Sequence, residues 1–501
     1  MPGHEESVTL IAAQVQLFHK CNKPFRIYHG PTNSTRPFKY GDDSMIDTSK
    51  LSNVLRVDID TRTALVEPNV SMDRLVKTTL QYGLIPPVVM EFPGITAGGG
   101  FSGTSGESSS FKHGLFEQTV NRIEMVLANG DVVNASGTEN AELFYGAASS
   151  FGTLGVTTLL DLRLIEAKTY VELTYHPVAN ISEAVQKIEE ATKDTTNDYL
   201  DGILFARDHG VICTGRLTNV LKEGVRIQRF SRRKDPWFYL HAKKIIKQQH
   251  NTPFTEAVPL VDYLFRYDRG GFWVGTFAFK YFLTPFNSLT RWALDQFLQT
   301  RFMYHALHES GLSQRYIVQD FGIPYSAAEK FVERLDCDFK FYPLWLCPIK
   351  QIAQMEHSTF SHFGVKGEPD APEMLLNFGF WGEGSSDLAK FVDANRRLEA
   401  IVQGFNGKKW LYAHTYYTES EFWKIYSKEK YDTLRAKYHA TYLPSVYEKV
   451  KVDLTGGKGH MTWTARLLNL FWTIWPLRGL YGLFHAAFGG DYLLRRKVNR
   501  K

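Results

Sequence analysis

Between Gly94 and Gly114 the chain reads GITAGGGFSGTSGESSSFKHG, and seven of these 21 residues are glycine. Glycine loses more conformational freedom on folding than any other residue, so a run this rich points to backbone that must pass close to something else. Successive exposed N–H groups in such a loop form a concavity for an anion, typically a pyrophosphate. Gly98, Gly100 and Gly103 satisfy G-x-G-x-x-G, but that fingerprint requires a strand before it and a helix after it. Pro86, Pro87 and Pro93 precede the loop and the polar TSGESSS follows, so a Rossmann turn is not predicted. The loop instead feeds VNRIEMVLANGDVVNA, two strands joined by Asn129-Gly130, the pair favoured in type I′ turns. A second glycine turn, GAASSFGTLG, comes next.

Around this centre the pattern is mixed. Residues 53–67 read as two short strands about a polar turn. A helix follows Ser71 and stops at Gly83. A short helix is predicted over 139–145 and a strand over 156–165. This order predicts an α+β fold rather than a doubly wound parallel sheet. From Tyr170 onward, VELTYHPV, ISEAVQKIEEATK, LDGILFA and GVICTGR read strand, helix, strand, strand. That order suits an antiparallel sheet with helices on one face. The expected division is residues 1–169, 170–451 and 452–501.

The 501 residues are 44% hydrophobic and 22% charged, which excludes disorder and collagen-like or low-complexity architecture. The net charge of +5 is uneven: residues 452–501 carry eight Lys and Arg against Asp453 and Asp491, so the body is near neutral. A nucleic-acid binder should carry its basic excess on a folded face, so nucleic acid is not an expected partner. Residues 226–247 hold eight basic groups around Trp237, Phe238 and Tyr239; a solvated helix with an aromatic anchor is the expectation there. Cys21, Cys213, Cys337 and Cys347 lack metal-ligand spacing, so no metal is expected and a reducing compartment is. The N-terminus has no charged segment followed by an apolar one, so no secretory signal is predicted.

The stretch TAGGGFSGTSGES resembles the FAD-binding loop of the delta(24)-sterol reductases, which belong to the flavoprotein group typified by vanillyl-alcohol oxidase and p-cresol methylhydroxylase. The similarity continues through ESSSFKHGLF, ENAELFY, GTLG and RLIEAK, and on through PWFYLH, IVQD, FYPLWLCP and LYAHTYYTESEFW. It is co-linear over about residues 25–450. The resemblance implies a two-part PCMH-type FAD-binding domain followed by an antiparallel α+β cap. It carries FAD contacts over to Thr96, Ala97, Gly98, Gly99, Gly100, Phe101, Ser102, Gly103, Thr104, Ser105, Gly106, Glu107 and Ser108, and to Gly152, Thr153, Leu154 and Gly155. Some flavoproteins of the wider group bond FAD covalently through a His or Cys, which draws attention to His29. The reductases do not, so noncovalent FAD is implied, with Cys21 and Cys347 read as packed thiols. His113 and His414 stand where the family has other polar residues, so neither inherits a catalytic role. The N-terminal membrane helix of the animal members has no counterpart in the opening residues.

The resemblance implies reduction of a C24=C25 side-chain double bond, with FAD as relay and NADPH as electron source. The substrate would be a sterol or a related triterpenoid. Protonation at C24 calls for an acid, and Tyr412, His414 and Tyr416 are the candidates, since alternation in a strand-like run puts all three on one face. The aromatic runs 339–345 and 410–417 are candidates for an apolar tunnel. An oxidase or dehydrogenase of an alcohol, sugar or phenol on the same fold, and a noncatalytic sterol- or flavin-binding protein, are the alternatives.

The last fifty residues combine Trp463, Trp472, Trp475 and a Leu/Phe-rich stretch with the terminal RRKVNRK. A membrane span needs about 20 uninterrupted apolar residues, and Pro476 and Arg478 interrupt this one. An amphipathic segment lying on a membrane surface is predicted instead, with a C-terminal helix docked on the cap as the alternative. Membrane association, at the endoplasmic reticulum facing the cytosol, is the expected location, with the cytoplasm as the alternative.

Overall fold

The computed structural model describes residues 2–29, 44–249, 252–351, 374–452 and 475–489. In chain order the first unit contains β1 (Arg26–Tyr28), β2 (Met45–Asp47), β3 (Val54–Asp58), β4 (Thr63–Val66), β5 (Leu84–Ile85), β6 (Val120–Leu127), β7 (Val132–Ser136), β8 (Gly155–Arg163) and β9 (Ile165–Glu166). β1 and β2 form a parallel pair and β5 and β9 an antiparallel one. The principal sheet is antiparallel, in the order β3-β4-β8-β6-β7. The predicted hairpin is β6–β7, and Gly130 sits in its turn at φ 94°, a conformation that favours glycine.

A helix at Pro2–Lys20 precedes the sheet and buries Val8, Ile11 and Val15. His4 pins its start, bonding through Nδ1 to Glu67 (2.9 Å) and through Nε2 to Glu124 (3.1 Å).

The second unit contains β10 (Tyr170–Val178), β11 (Tyr199–Ala206), β12 (His209–Thr218), β13 (Phe254–Pro259), β14 (Tyr316–Pro324), β15 (Leu344–Lys350), β16 (Met374–Glu383) and β17 (Lys408–Lys409). They form one eight-stranded sheet in the order β13-β10-β12-β11-β15-β16-β14-β17, antiparallel at every pair. Side-chain alternation divides this sheet into two faces. On one, Leu200, Leu204, Ile212, Leu346, Phe378 and Phe380 pack under the helices Ile181–Lys193, Tyr325–Asp338 and Leu388–Gly404. The first of these helices forms where expected because Asn180 accepts from the Glu183 N–H and Ile181, Ala184, Ile188 and Ala191 repeat at helical spacing. Each large apolar side chain fully buried there stabilises the fold by about 1.5–3 kcal/mol.

The opposite face carries Asp201, Trp345, Cys347, Asn377, Trp381 and Asp320, and turns toward the first unit. The junction is tied by the Leu200 N–H donating to the Ser108 carbonyl (2.7 Å). Residues 419–450 return to the first unit: the Tyr431 hydroxyl donates to Thr153 (2.8 Å), that of Tyr442 to the Ala128 carbonyl (2.5 Å), and Lys437 pairs with Glu142 (2.6 Å).

Two expectations change. Cys347 is buried, but Cys21 is exposed rather than packed, because it lies in the turn that ends the first helix. The C-terminal segment is not a separate tail over residues 475–489. The helix Leu477–Gly489 lies on the helix Thr300–Glu309, where a Cβ on Gly482 would stand 2.5 Å from the Ala306 carbonyl and Ala486 is fully buried. Small residues at this spacing allow the backbones to approach. Trp463, Trp472 and the terminal RRKVNRK lie outside the described residues. Among those described, no helix is long and apolar enough to cross a membrane.

Candidate active site

Thr96 starts the glycine-rich segment by capping the helix Ala97–Gly103, its Oγ1 accepting from the Gly99 N–H (3.1 Å). The glycines then divide by role. A Cβ on Gly98 would lie 2.6 Å from the Pro68 Cβ, and one on Gly100 would lie 2.6 Å from the Met90 Cε and 2.8 Å from the Phe116 ring. Both positions exclude side chains for packing. Gly103 is different: the nearest atom to its missing Cβ is on Phe151 at 3.7 Å, an ordinary contact, so packing does not exclude a side chain there. Gly99 is exposed, with only its own cap nearby. Ala97 and Phe101 are buried beneath, and Ser102 is half-buried.

The second glycine turn is clamped against this helix. Ser149 donates its N–H to the Phe101 carbonyl (3.2 Å), Phe151 donates to that of Ser102 (3.0 Å), and the Thr104 and Ser149 hydroxyls hydrogen-bond. Thr104, Ser149 and Phe151 all adopt positive φ, at 57°, 62° and 54°. Strain of this kind costs about 1–3 kcal/mol per residue and gathers at ligand sites. Within the second turn, Gly152 is half-buried with φ 69°, whereas Thr153 is occupied by Tyr431, Leu154 is core, and Gly155 packs on β6. The Ser105 and Gly106 N–H groups have no acceptor among the described residues. Bare glycine backbone, two unengaged donors and a strained clamp fit the phosphates and ring edge of FAD.

Beyond the loop lies a row of buried acids. Glu107 accepts from the Ser108 hydroxyl (2.8 Å) and from the Ser109 N–H (2.9 Å). Glu91 is buried and its Oε1 has no partner. Burial raises both carboxyls above the usual range, and the charge of Glu107 raises Glu91 further. The cap supplies the opposing charge. Arg266 pairs with Asp201 (2.7 Å) and lies 4.1 Å over the Tyr263 ring. Asp201 also accepts from the Tyr267 hydroxyl (2.8 Å) and the Trp345 indole (3.1 Å). Burial and the surrounding carboxylates hold the Cys347 thiol neutral.

Asp320, on β14, faces the same space. It accepts from the Asn377 amide (3.0 Å), the Trp381 indole (3.0 Å) and the Tyr412 hydroxyl. Burial pushes its carboxyl up to about 7. The Tyr412 ring packs with Leu115, Ile349 and Trp410, and Leu115 and Ile349 stand 2.9 and 3.1 Å from where a Gly106 Cβ would be. Leu115 and Ile349 therefore lie between the Tyr412 ring and Gly106 of the flavin loop.

The three acid candidates are not on one face, because residues 411–417 are a turn and bends after β17 rather than a strand. His414 uses its carbonyl to accept from Lys409 (2.5 Å) and Gln319 (3.3 Å). Tyr416 is buried against Phe391 in the helix-backed core, its N–H donating to Glu399 (2.9 Å). The aromatic runs divide likewise. Phe339 and Phe341 pack on Phe380 on the helix-backed side, so of residues 339–345 Trp345 is the one that turns inward to the Asp201 cluster. The inner wall is completed by residues the sequence reading did not single out. Phe272 lies 4.4 Å from Trp381, 3.8 Å from Tyr267 and 5.8 Å from Phe92. Asp320 itself left one trace, a lone acid inside the apolar strand IVQDFGI.

Residues 4–136 match the family described as FAD binding domain. Over 464 residues, 89% of this chain and 86% of the relative, the chain is 29% identical to the Delta(24)-sterol reductases of Macaca fascicularis and Homo sapiens. It is also 29% identical to that of Arabidopsis thaliana, over 81% of this chain and 76% of the relative. The chain is thus similar to the delta(24)-sterol reductases along most of its length. The FAD binding domain and this likeness together make it an FAD-dependent oxidoreductase, with the loop Thr96–Ser108 on its flavin domain and the Asp320–Tyr412 pair on its cap.

Proposed function

We propose that the chain reduces the C24=C25 double bond of a sterol or a sterol-like triterpenoid, with NADPH as the reductant of noncovalent FAD. The observation that carries this reading is that likeness to the Delta(24)-sterol reductases runs through the cap as well as the flavin domain. The cap is the part that meets substrate.

An isolated trisubstituted alkene accepts hydride poorly until a proton reaches C24 and positive charge develops at tertiary C25. Held along Thr96–Ser108 and reduced by NADPH, FAD would supply the hydride equivalent for C25. The protein supplies the proton. With the Asp320 carboxyl protonated, its proton turns to the Tyr412 oxygen and frees the phenol proton for C24; burial brings that carboxyl to about 7, suited to exchange near neutrality. Asn377 and Trp381 hold that carboxyl in position. The wall of Phe92, Phe272, Trp345 and Trp381 excludes water and suits an apolar side chain, since both Trp N–H groups are already bonded to Asp320 and Asp201.

Membrane association at the endoplasmic reticulum, facing the cytosol, belongs to the same reading; its supports are an apolar substrate and four cysteines that are all free thiols. The test is purification of the full chain with its flavin, followed by NADPH oxidation with and without Δ24 sterols and mass spectrometry of the products. Sterol-dependent oxidation with gain of two hydrogens is expected. Sterol-independent oxidation of an alcohol by O₂, or a protein without flavin absorbance, overturns the reading.

A further inference from the structure

The large apolar side chains exposed on the described surface are concentrated in two segments. Leu283, Phe286, Leu289, Trp292 and Phe297 stand between the helices Gly275–Tyr281 and Thr300–Glu309. Trp475, Leu480, Tyr481, Phe484 and Phe488 stand on or beside the helix Leu477–Gly489. Every exposed Phe and Trp among the described residues belongs to one of these two groups. Such a gathering is not the scatter of single apolar residues normal on a soluble surface.

The two segments are neighbours. The Trp475 indole donates to the Tyr281 carbonyl (2.6 Å), and a Cβ on Gly479 would lie 2.7 Å from the Phe282 ring. The terminal helix buries its small residues, Gly479, Gly482 and Ala486, against the cap and keeps Leu480, Phe484 and Phe488 outward at a spacing of four. Leu283, 74% exposed, follows directly after the residues on which that helix rests.

Positive charge rims the same region. Arg232, Arg233 and Lys234 are all exposed. The Arg233 guanidinium lies 4.3 Å over the Trp292 ring and donates to the Ala293 carbonyl (2.8 Å). In sequence, RRKVNRK follows at residues 495–501. Aromatic and aliphatic side chains with an Arg and Lys rim have the composition of a face that lies in the headgroup plane of an anionic bilayer. A second copy of the chain across a two-fold axis would bring the same basic groups toward one another.

We propose that the cap segment Leu283–Phe297 and the helix Leu477–Gly489 form one membrane-binding face, whose occupant is an anionic lipid surface. This goes beyond a C-terminal anchor, because half of the apolar contact comes from within the cap. The same segments lead inward: Phe286 lies 5.1 Å from Phe279, and Tyr304, on the helix under the terminal helix, lies 5.8 Å from Phe92 of the inner wall. An apolar substrate dissolved in the bilayer would thus meet the protein on the side from which the wall is reached; this last step rests on the proposed sterol substrate, the binding face does not.

The test uses the flavin-loaded full chain with L289E/W292E, which leaves the terminal segment intact, and separately F484E/F488E. Each is floated with phosphatidylcholine vesicles and with vesicles of two parts phosphatidylcholine to one part phosphatidylserine. Each variant should lower the bound fraction on phosphatidylserine vesicles by at least about fivefold, with flavin absorbance and turnover of detergent-dispersed substrate unchanged. Wild-type binding should fall by a similar factor without phosphatidylserine. Full flotation of L289E/W292E overturns the proposal, as does equal binding to both vesicle types. A change in oligomeric state with unchanged flotation also overturns it and assigns the face to a second copy. None of these readouts depends on which substrate the site reduces.

Discussion

The Tyr412 hydroxyl is hydrogen-bonded to the Asp320 carboxylate, joining the turn after β17 to the middle of β14, while the Tyr412 ring packs on Leu115 and Ile349, the neighbours of Gly106. Two further donors, from Asn377 and Trp381, hold Asp320 with both oxygens engaged. A carboxyl raised to about 7 is protonated below that pH and loses its proton above it.

Turnover should therefore fall as pH rises through about 7, with the acidic side of the profile flat to that group. Asp320→Asn should lower kcat by about 10²–10⁴-fold and remove the alkaline limb. Tyr412→Phe should lower kcat similarly with FAD content unchanged. His414→Gln should have little effect on kcat, since the carbonyl, not the ring, accepts from Lys409 and Gln319. Steady-state kinetics across pH, with flavin absorbance as the control, checks all three.

The glycines of the loop should respond in two ways. Gly100→Ala would force a methyl against Met90 and Phe116 and should destabilise the protein by about 1–3 kcal/mol. Gly103→Ala has room, its nearest neighbour being 3.7 Å away, so stability should hold while FAD binding weakens by about tenfold, or about 1.4 kcal/mol. Denaturation midpoints read the first effect and titration with FAD reads the second.

Local signals in the chain made part of this legible. The β6–β7 hairpin is written in Asn129-Gly130 and the helix Ile181–Lys193 in its Asn180 cap, because each is decided by residues a few positions apart. The flavin loop was legible because glycine in such density has few other uses. Asp320 was not, since its partners are 57, 61 and 92 positions away and meet only when β14 pairs with β16 and the chain turns back after β17. The run 411–417 misled for the complementary reason. Its alternation suits a strand, but Tyr412 packs toward Leu115 and Ile349 while Tyr416, which a strand would put on the same face, packs toward Phe391.

Arg266 sets the charge balance between the two units. It is fully buried and pairs with Asp201, which is also fully buried. Arg266→Met removes the cation and strands that carboxylate, so the protein should lose about 3–5 kcal/mol. In the double variant with Asp201→Asn the carboxylate that Arg266 pairs is removed as well, and the combined loss should be smaller than the sum of the singles by at least about 1 kcal/mol. Urea denaturation of the four proteins measures the coupling.

His4 gives the first helix a pH-dependent hold on the sheet. Bonds from both ring nitrogens to Glu124 and Glu67 raise its pKa from 6.5 to about 9. A group held protonated in the folded state stabilises it fully below the unfolded pKa, and the contribution is lost as pH rises through the folded one. Stability should therefore decline between about pH 6.5 and 9. Glu117, buried with its carboxyl raised to about 8, loses its proton in an overlapping window and pulls in the same direction. His4→Gln separates the two: the stability difference between wild type and variant should be largest below pH 6.5 and vanish above about pH 9. A decline in wild type that the variant reproduces in full would assign the effect to Glu117 instead, and urea denaturation at a series of pH values distinguishes the two outcomes.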